Sequence, residues 1–228
     1  MLKLVSSMAT KRLLADLAAQ WQRATGLPVS VESVGGLDAA KRVREGEAFD
    51  AVVLASDAID SLIEGGFAVP GTKVDLARSV VAVAVKAGAV VPDISTELKL
   101  RLAIEAACSI GYSTGPSGVA LVKLLQRWGI WEALQPRVVQ VPAGVPVGTL
   151  LACGEVSLGF QQLSELMHLD GITVVGVLPQ SASITTVFSA AACAASSQQG
   201  DLERLLAYMA SAEVDSVKLH NGMQPATP

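Results

Sequence analysis

The chain has 228 residues, of which 51% are apolar and 17% charged, and its formal net charge is −4. This composition predicts a folded protein with a substantial core and excludes a disordered chain. Basic residues are scattered and no apolar run reaches membrane-spanning length, so neither nucleic acid nor membrane insertion is expected.

The N-terminal residues pass from a short apolar run directly into a charged helical pattern. Residues 1–5 precede Ser6 and Ser7 without the long apolar segment and cleavage site of a signal peptide. The sequence as written therefore predicts a cytoplasmic protein, or a periplasmic one if a leader has been removed. A membrane transporter is expected as a partner only in the second case.

Strand and helix patterns alternate from the first residue. In the first third, strands are predicted at 2–5, 29–34 and 51–54, and helices at 8–25, 38–45 and 56–64. In the first helix an apolar face recurs at helical spacing, and it consists of Leu13, Leu14, Leu17, Ala18 and Trp21. Gly26 ends that helix, since glycine adopts the left-handed conformation without strain.

The same alternation continues to the C-terminus. Strands are predicted at 79–85, 106–110, 138–141, 156–160, 172–177 and 184–189. Helices are predicted from Ser95, from Pro116 through Trp128, and at 144–153, 163–167, 201–210 and 211–219. Such alternation predicts an α/β fold with a mainly parallel sheet and helices on both faces.

The segment 109–118 joins an apolar run to a helix through small and hydroxyl residues. Pro116 suits the first helical position, where its missing N–H costs nothing. The hydroxyls of Ser113, Thr114 and Ser117 and the free N–H groups of the helix start would attract a small anion. The turn has no lysine, which excludes a nucleotide P-loop. Simple capping of the helix is the alternative.

Several short motifs stand in a defined order along the chain. Ser6-Ser7 and Gly35-Gly36 each precede a helix, and FDAVVL (49–54), DLARS (75–79), GPSG (115–118) and GFQQLSE (159–165) follow. This order resembles the molybdate-binding-protein-like branch of type II periplasmic (solute) binding proteins, which includes aconitate isomerase-like enzymes. The resemblance implies two α/β lobes with a ligand cleft between them. Lobe one would hold residues 1–79 and 188–228, and lobe two residues 80–187.

The resemblance and the hydroxyl-rich turn together imply a set of ligand contacts. They are Ser6, Ser7, Gly35, Gly36, Leu37, Ser113, Ser117, Gly118, Gly144, Val145, Gln161 and Gln162. Molybdate binders commonly have a serine in place of Gly35-Gly36 and a tyrosine in place of Gln162. Because a carboxamide both donates and accepts hydrogen bonds, these departures favour a carboxylate over a tetrahedral oxyanion.

Two functions are favoured by the sequence, and a cytosolic sensor or structural role is the remaining alternative. The first is reversible binding of a small anion, either a carboxylate or an oxyanion. The second is a cytosolic isomerase that shifts a proton in an unsaturated di- or tricarboxylate, for which Glu165 and then Tyr112 are the candidate catalytic residues. No cofactor and no metal are expected, and the three cysteines are predicted to be buried free thiols.

Overall fold

The computed structural model describes residues 1–226, without the side chain of Gln199. The chain divides into two compact units. The first unit comprises Met1–Ser79 and the described residues from Thr186 onward, and the second comprises Val80–Thr185.

The described residues form ten strands and ten α-helices, in alternation. The strands are β1 Leu2–Ser7, β2 Val29–Val34, β3 Ala51–Ala55, β4 Val74–Lys86, β5 Ile110–Tyr112, β6 Val138–Gln140, β7 Leu158–Gln162, β8 Ile172–Val177, β9 Thr185–Ala192 and β10 Met223–Pro225. The helices are α1 Lys11–Thr25, α2 Gly36–Arg44, α3 Ser56–Glu64, α4 Glu97–Ala106, α5 Pro116–Arg127, α6 Trp131–Leu134, α7 Val147–Cys153, α8 Leu163–Leu166, α9 Gln199–Ala210 and α10 Asp215–His220.

In the first unit, β1 lies between β2 and β3 and runs parallel to both. The chain re-enters this unit through β9, which pairs antiparallel with β3, and β10 pairs with the first half of β4. Alternate strand residues face opposite layers, so Leu4 packs with α1 and α9, whereas Val5 packs with α2 and α3. Both faces of this sheet are therefore covered by helices.

In the second unit, β5 lies between β6 and β7 and runs parallel to both. The second half of β4 pairs antiparallel with β7 and with β8. One core cluster joins these strands to α4, α5 and α6, and a smaller one joins them to α7 and α8. The carboxyl ends of β5 and β7 thus lie side by side at one edge of the sheet.

The predicted α/β fold is confirmed, and so is the predicted apolar face of α1, whose five residues are all buried. The sheet, however, is mixed rather than mainly parallel. The parallel pairs lie within β1–β3 and β5–β7, whereas β4, β8, β9 and β10 pair antiparallel. Antiparallel pairing between distant segments leaves no local sequence pattern, which explains the error.

Most predicted elements differ from the structure by a few residues, and two of these differences bear on the candidate site. Residues 106–110 do not form a strand, because α4 continues to Ala106 and the strand begins at Ile110. Leu100 and Ile104 are buried on the same face of α4, so the alanines that follow extend a helix rather than start a strand. The helix predicted from Gly144 begins at Val147.

The three cysteines are free, as predicted, but their burial was predicted incorrectly. Cys193 is buried, whereas Cys108 and Cys153 are exposed. Cys108 follows the end of α4 and Cys153 is the last residue of α7, so both lie where a helix ends and the chain turns.

Glycine allows unusually close packing at the start of α5. A Cβ atom at Gly118 would overlap the backbone carbonyl oxygen of Ser113, which cannot rotate away as a flexible side chain could. Gly118 is therefore required for the turn that carries Ser113 and Ser117.

We predict that Gly118→Ala lowers the free energy of unfolding by about 2–4 kcal/mol, because backbone atoms must move to admit the methyl group. Chemical denaturation measures this change. Gly200→Ala is the matched control, since Gly200 lies in α9 with no atom within 4 Å of the added Cβ. Alanine should be neutral or mildly stabilising there. Equal stability of the two variants would contradict the packing argument.

Candidate functional site

Ser7 and the start of α2 form the first group of polar atoms. Ser7 ends β1 and is 9% exposed, and its Oγ is buried without a hydrogen-bond partner among the described residues. A Cβ atom on Gly36 would lie 3.7 Å from the Ser7 Cβ, so the first residue of α2 packs directly against Ser7. The first backbone N–H groups of a helix have no partner within that helix. Ser7 therefore offers a buried hydroxyl beside a helix start.

The neighbouring Ser6 is placed differently. Its side chain is fully buried, and its Oγ lies 2.8 Å from the Oγ of Ser33 and 3.3 Å from the carbonyl oxygen of Ser7. The contact with Ser33 joins β1 to β2. Leu37, in the first turn of α2, is 72% exposed.

Ser113 and Ser117 form the second group, at the start of α5. Their hydroxyl oxygens are 2.9 Å apart, and either can be the donor. Two hydroxyls that share one hydrogen bond retain a second proton that can be donated elsewhere. Gly115 caps this helix and Pro116 occupies its first turn. The two hydroxyls and the start of α5 lie together at this turn, as the sequence predicted.

The third group links three residues in series. The backbone N–H of Val147, the first residue of α7, donates to Gln161 Oε1 at 2.7 Å. Gln161 Nε2 in turn donates to Glu165 Oε1 at 2.8 Å. Gln161 is 2% exposed, and its bond to the Val147 N–H is buried, whereas its bond to Glu165 is partly buried.

Burial changes the acidity of Glu165. Loss of solvation raises its pKa from 4.5 to about 7, and this effect outweighs the hydrogen bond from Gln161, which lowers the pKa. A carboxyl group with this pKa exchanges a proton readily at neutral pH, as a general acid or base requires.

Strand register and small residues bring the second and third groups to the same edge. Because Tyr112 pairs with Phe160 across β5 and β7, Ser113 and Gln161 are the next residues at that edge. Gly159 permits α7 to pack closely, since a Cβ there would lie 2.6 Å from Leu151 Cδ1 and 2.8 Å from Val147 Cγ1. This close packing positions the Val147 N–H at the end of β7.

Other predicted site residues have different surroundings. Tyr112 is buried in the apolar core, edge-on to Trp131 at 6.3 Å between ring centroids. Gly144 has a φ of 79°, and the Val145 N–H donates to the Pro142 carbonyl oxygen at 3.1 Å, so both belong to a turn. Gln162 is buried at the end of β7, in register with Val81.

Val147 was missed by the sequence analysis. Pro146 is the N-cap of α7, and the residue before a proline is disfavoured in a helix. The Val145-Pro146 pair therefore indicated that α7 does not include Val145 and begins no earlier than Pro146.

An α/β fold of two compact units, with serine hydroxyls at helix starts, is that of the type II periplasmic binding proteins. A family model described as bacterial extracellular solute-binding protein matches residues 2–224, and the chain belongs to this family. The resemblance inferred from the order of its motifs is confirmed.

One curated relative matches nearly the whole chain, and two solved structures share its fold. Aconitate isomerase of a Pseudomonas species is 33% identical, and the match covers 98% of this chain and 87% of that protein. The periplasmic molybdate-binding protein of Azotobacter vinelandii has a TM-score of 0.81 and 21% identity, with 98% of each chain covered. The sulfate-binding protein of Mycobacterium tuberculosis has a TM-score of 0.78 and 15% identity, with 100% of this chain and 87% of that chain covered.

Two negative findings apply to residues 1–226. No helix in that range is both long and apolar enough to cross a membrane. No group of three or more histidine, cysteine, aspartate or glutamate side chains in the same range is placed to hold a metal ion.

We predict that Glu165 makes the protein less stable as the pH rises. Between the ordinary pKa of 4.5 and about 7 the folded state keeps a proton that the unfolded chain has released. The contribution of Glu165 to the free energy of unfolding is therefore present at pH 5 and lost by pH 8. Replacing Glu165 with the uncharged Gln should reduce the loss between these two pH values by roughly 1–3 kcal/mol.

Denaturant titrations of wild type and Glu165→Gln at pH 5 and pH 8 measure this difference. Glu132→Gln is the control, because Glu132 is exposed on α6. The control should follow the wild type at both pH values. The same pH dependence in Glu165→Gln and wild type would show that Glu165 titrates normally.

Proposed function

We propose that this protein binds a small carboxylate anion through serine hydroxyls and the backbone N–H groups of helix starts. The observation that carries the proposal is the buried Ser7 Oγ, which lacks a partner among the described residues and lies beside the start of α2. Burying a hydroxyl without a hydrogen-bond partner costs about 1–3 kcal/mol of folding free energy. A ligand oxygen at this position would remove that cost.

The start of α5 supports the same proposal. The Ser113–Ser117 pair keeps one hydroxyl proton for a further acceptor, and it lies at the N-terminus of this twelve-residue helix. The partial positive charge of a helix N-terminus favours an anion without a formal positive charge. Neutral donors hold an anion reversibly, as a solute-binding protein requires.

The proposed preference for a carboxylate ligand comes from the residues at the expected ligand contacts. Gly35-Gly36 supplies only backbone donors, and Gln162 supplies an amide where molybdate binders commonly have a tyrosine. By their names, two of the similar proteins bind oxyanions and the third is an enzyme that acts on a tricarboxylate. The relative that is 33% identical is the enzyme, which favours the carboxylate.

A second candidate function is isomerisation of an unsaturated di- or tricarboxylate. The name of the Pseudomonas relative suggests it, and its match extends over 98% of this chain. Glu165 adds an independent reason, because burial raises its pKa to about 7. If the protein instead delivers its ligand, a membrane transporter is the expected partner.

We predict that cis- or trans-aconitate raises the melting temperature more than molybdate, tungstate or sulfate does. A ligand at 100 times its Kd stabilises the folded state by about 2.7 kcal/mol, which a thermal shift detects. Citrate serves as a saturated tricarboxylate in the same screen. Stabilisation by molybdate alone would refute the carboxylate preference.

We further predict that Ser7→Ala and Ser117→Ala each weaken binding of the best ligand from that screen by about 1–2 kcal/mol, because each removes a hydroxyl donor from a dry site. Isothermal titration calorimetry measures the change. Ser216→Ala is the matched control, since Ser216 is exposed in α10, and its affinity should equal that of the wild type. Unchanged affinity in both Ser7→Ala and Ser117→Ala would place the ligand elsewhere.

A further inference from the structure

The orientation of the Gln161 amide is determined by a backbone donor. An N–H group can donate only to an acceptor, so the Val147 N–H at 2.7 Å requires the carbonyl oxygen of Gln161 on its side. The amide nitrogen of Gln161 must therefore face Glu165, where it donates to Oε1 at 2.8 Å. A 180° flip of the amide would break both hydrogen bonds.

This arrangement determines which oxygen of Glu165 carries a proton. Oε1 accepts the hydrogen bond from Gln161 in both protonation states, so the proton of the acid form resides on Oε2. Both protonation states are populated near neutral pH, because burial raises the pKa of Glu165 to about 7. Glu165 is thus a carboxyl group held by one oxygen and able to exchange a proton through the other.

We propose that Glu165 is the catalytic residue that moves a proton between two carbons of an unsaturated tricarboxylate, and that Gln161 is the residue that positions it. This inference rests on the isomerase candidate above. The inference accounts for the hydrogen bonds that link Val147, Gln161 and Glu165, which a protein that only binds an anion does not need. The shared edge of β5 and β7 places Gln161 next in register to Ser113, which belongs to the proposed anion donors.

The proposed reaction balances without a co-reactant. The Glu165 carboxylate removes a proton from the methylene carbon next to the double bond, and the C–H electron pair forms a new C=C bond. The original double bond shifts its electrons toward the other end of the three-carbon unit. Oε2 exchanges this proton with solvent and then delivers a proton to that carbon, which restores the carboxylate. Hydroxyl and N–H donors to the substrate carboxylates stabilise the negative charge of the intermediate.

The test is proton NMR of cis- and trans-aconitate with the protein in D₂O, together with calorimetric binding of the same two compounds. Wild type should incorporate deuterium at the methylene position and interconvert the two isomers. Glu165→Gln should bind aconitate within about threefold of the wild type but exchange at least about 100-fold more slowly, as expected on loss of a general base. Glu132→Gln should match the wild type in both measurements.

Glu165→Asp is a second variant in case the glutamine variant does not fold. It keeps the acid but moves it back by one methylene, so exchange should fall while binding persists. Binding of aconitate without exchange in the wild type would overturn this inference and leave the proposed binding function intact. Exchange at the wild-type rate in Glu165→Gln would overturn the role of Glu165. Failure of wild type to bind either isomer would overturn this inference, whereas the binding proposal fails only if no carboxylate in the thermal screen, citrate included, stabilises the protein.

The positioning role of Gln161 has its own readout. Because the Gln161 hydrogen bond lowers the pKa of Glu165, Gln161→Met should shift the midpoint of the exchange-rate pH profile to higher pH. A variant that merely loosened the fold would lower the rate at every pH without moving the midpoint. An unshifted midpoint would refute the positioning role.

Discussion

The hydrogen bond between the Val147 N–H and Gln161 Oε1 is the contact on which the arrangement of the second unit's polar groups depends. It joins the start of α7 to the end of β7, two places fourteen residues apart in the chain. Close packing at Gly159 makes it possible, and the orientation of the amide toward Glu165 follows from it. A single backbone donor thus determines which oxygen of a distant carboxyl group remains available for chemistry.

The proposed ligand contacts share a physical strategy, which is to bind negative charge with neutral donors. A lysine or arginine would bind an anion more strongly but would also need a counter-charge when the ligand is absent. Serine hydroxyls and helix N–H groups carry only partial charges, so the empty protein keeps them at modest cost. The same neutrality suits catalysis, because donors without formal charge leave the pKa of Glu165 under the control of burial.

Much of the fold could be predicted from local patterns, and the errors have identifiable causes. The strands at 29–34 and 172–177 and the helix at 56–64 have the predicted bounds, because apolar spacing and clear stop signals coincide there. Residues 106–110 are apolar without a period, so helix and strand could not be distinguished. The hydroxyls of Ser113 and Ser117 could be predicted to lie together because they belong to one turn. The hydrogen bond between Val147 and Gln161 could not be predicted, because it depends on packing between separate elements. The pKa of Glu165 depends on burial, which only the folded chain determines.

The order of the two units along the chain has a consequence for synthesis on the ribosome. The second unit is continuous, so all of its strands have emerged once residue 185 has left the exit tunnel. The first unit cannot complete its core by then, because Phe188, Leu202, Leu205, Met209 and Met223 belong to its main apolar cluster. Part of the first sheet therefore keeps its apolar surface uncovered while the last 43 residues of the protein are translated. Such a nascent chain exposes its earliest strands longest, which makes the N-terminal segment the natural place for a chaperone to bind.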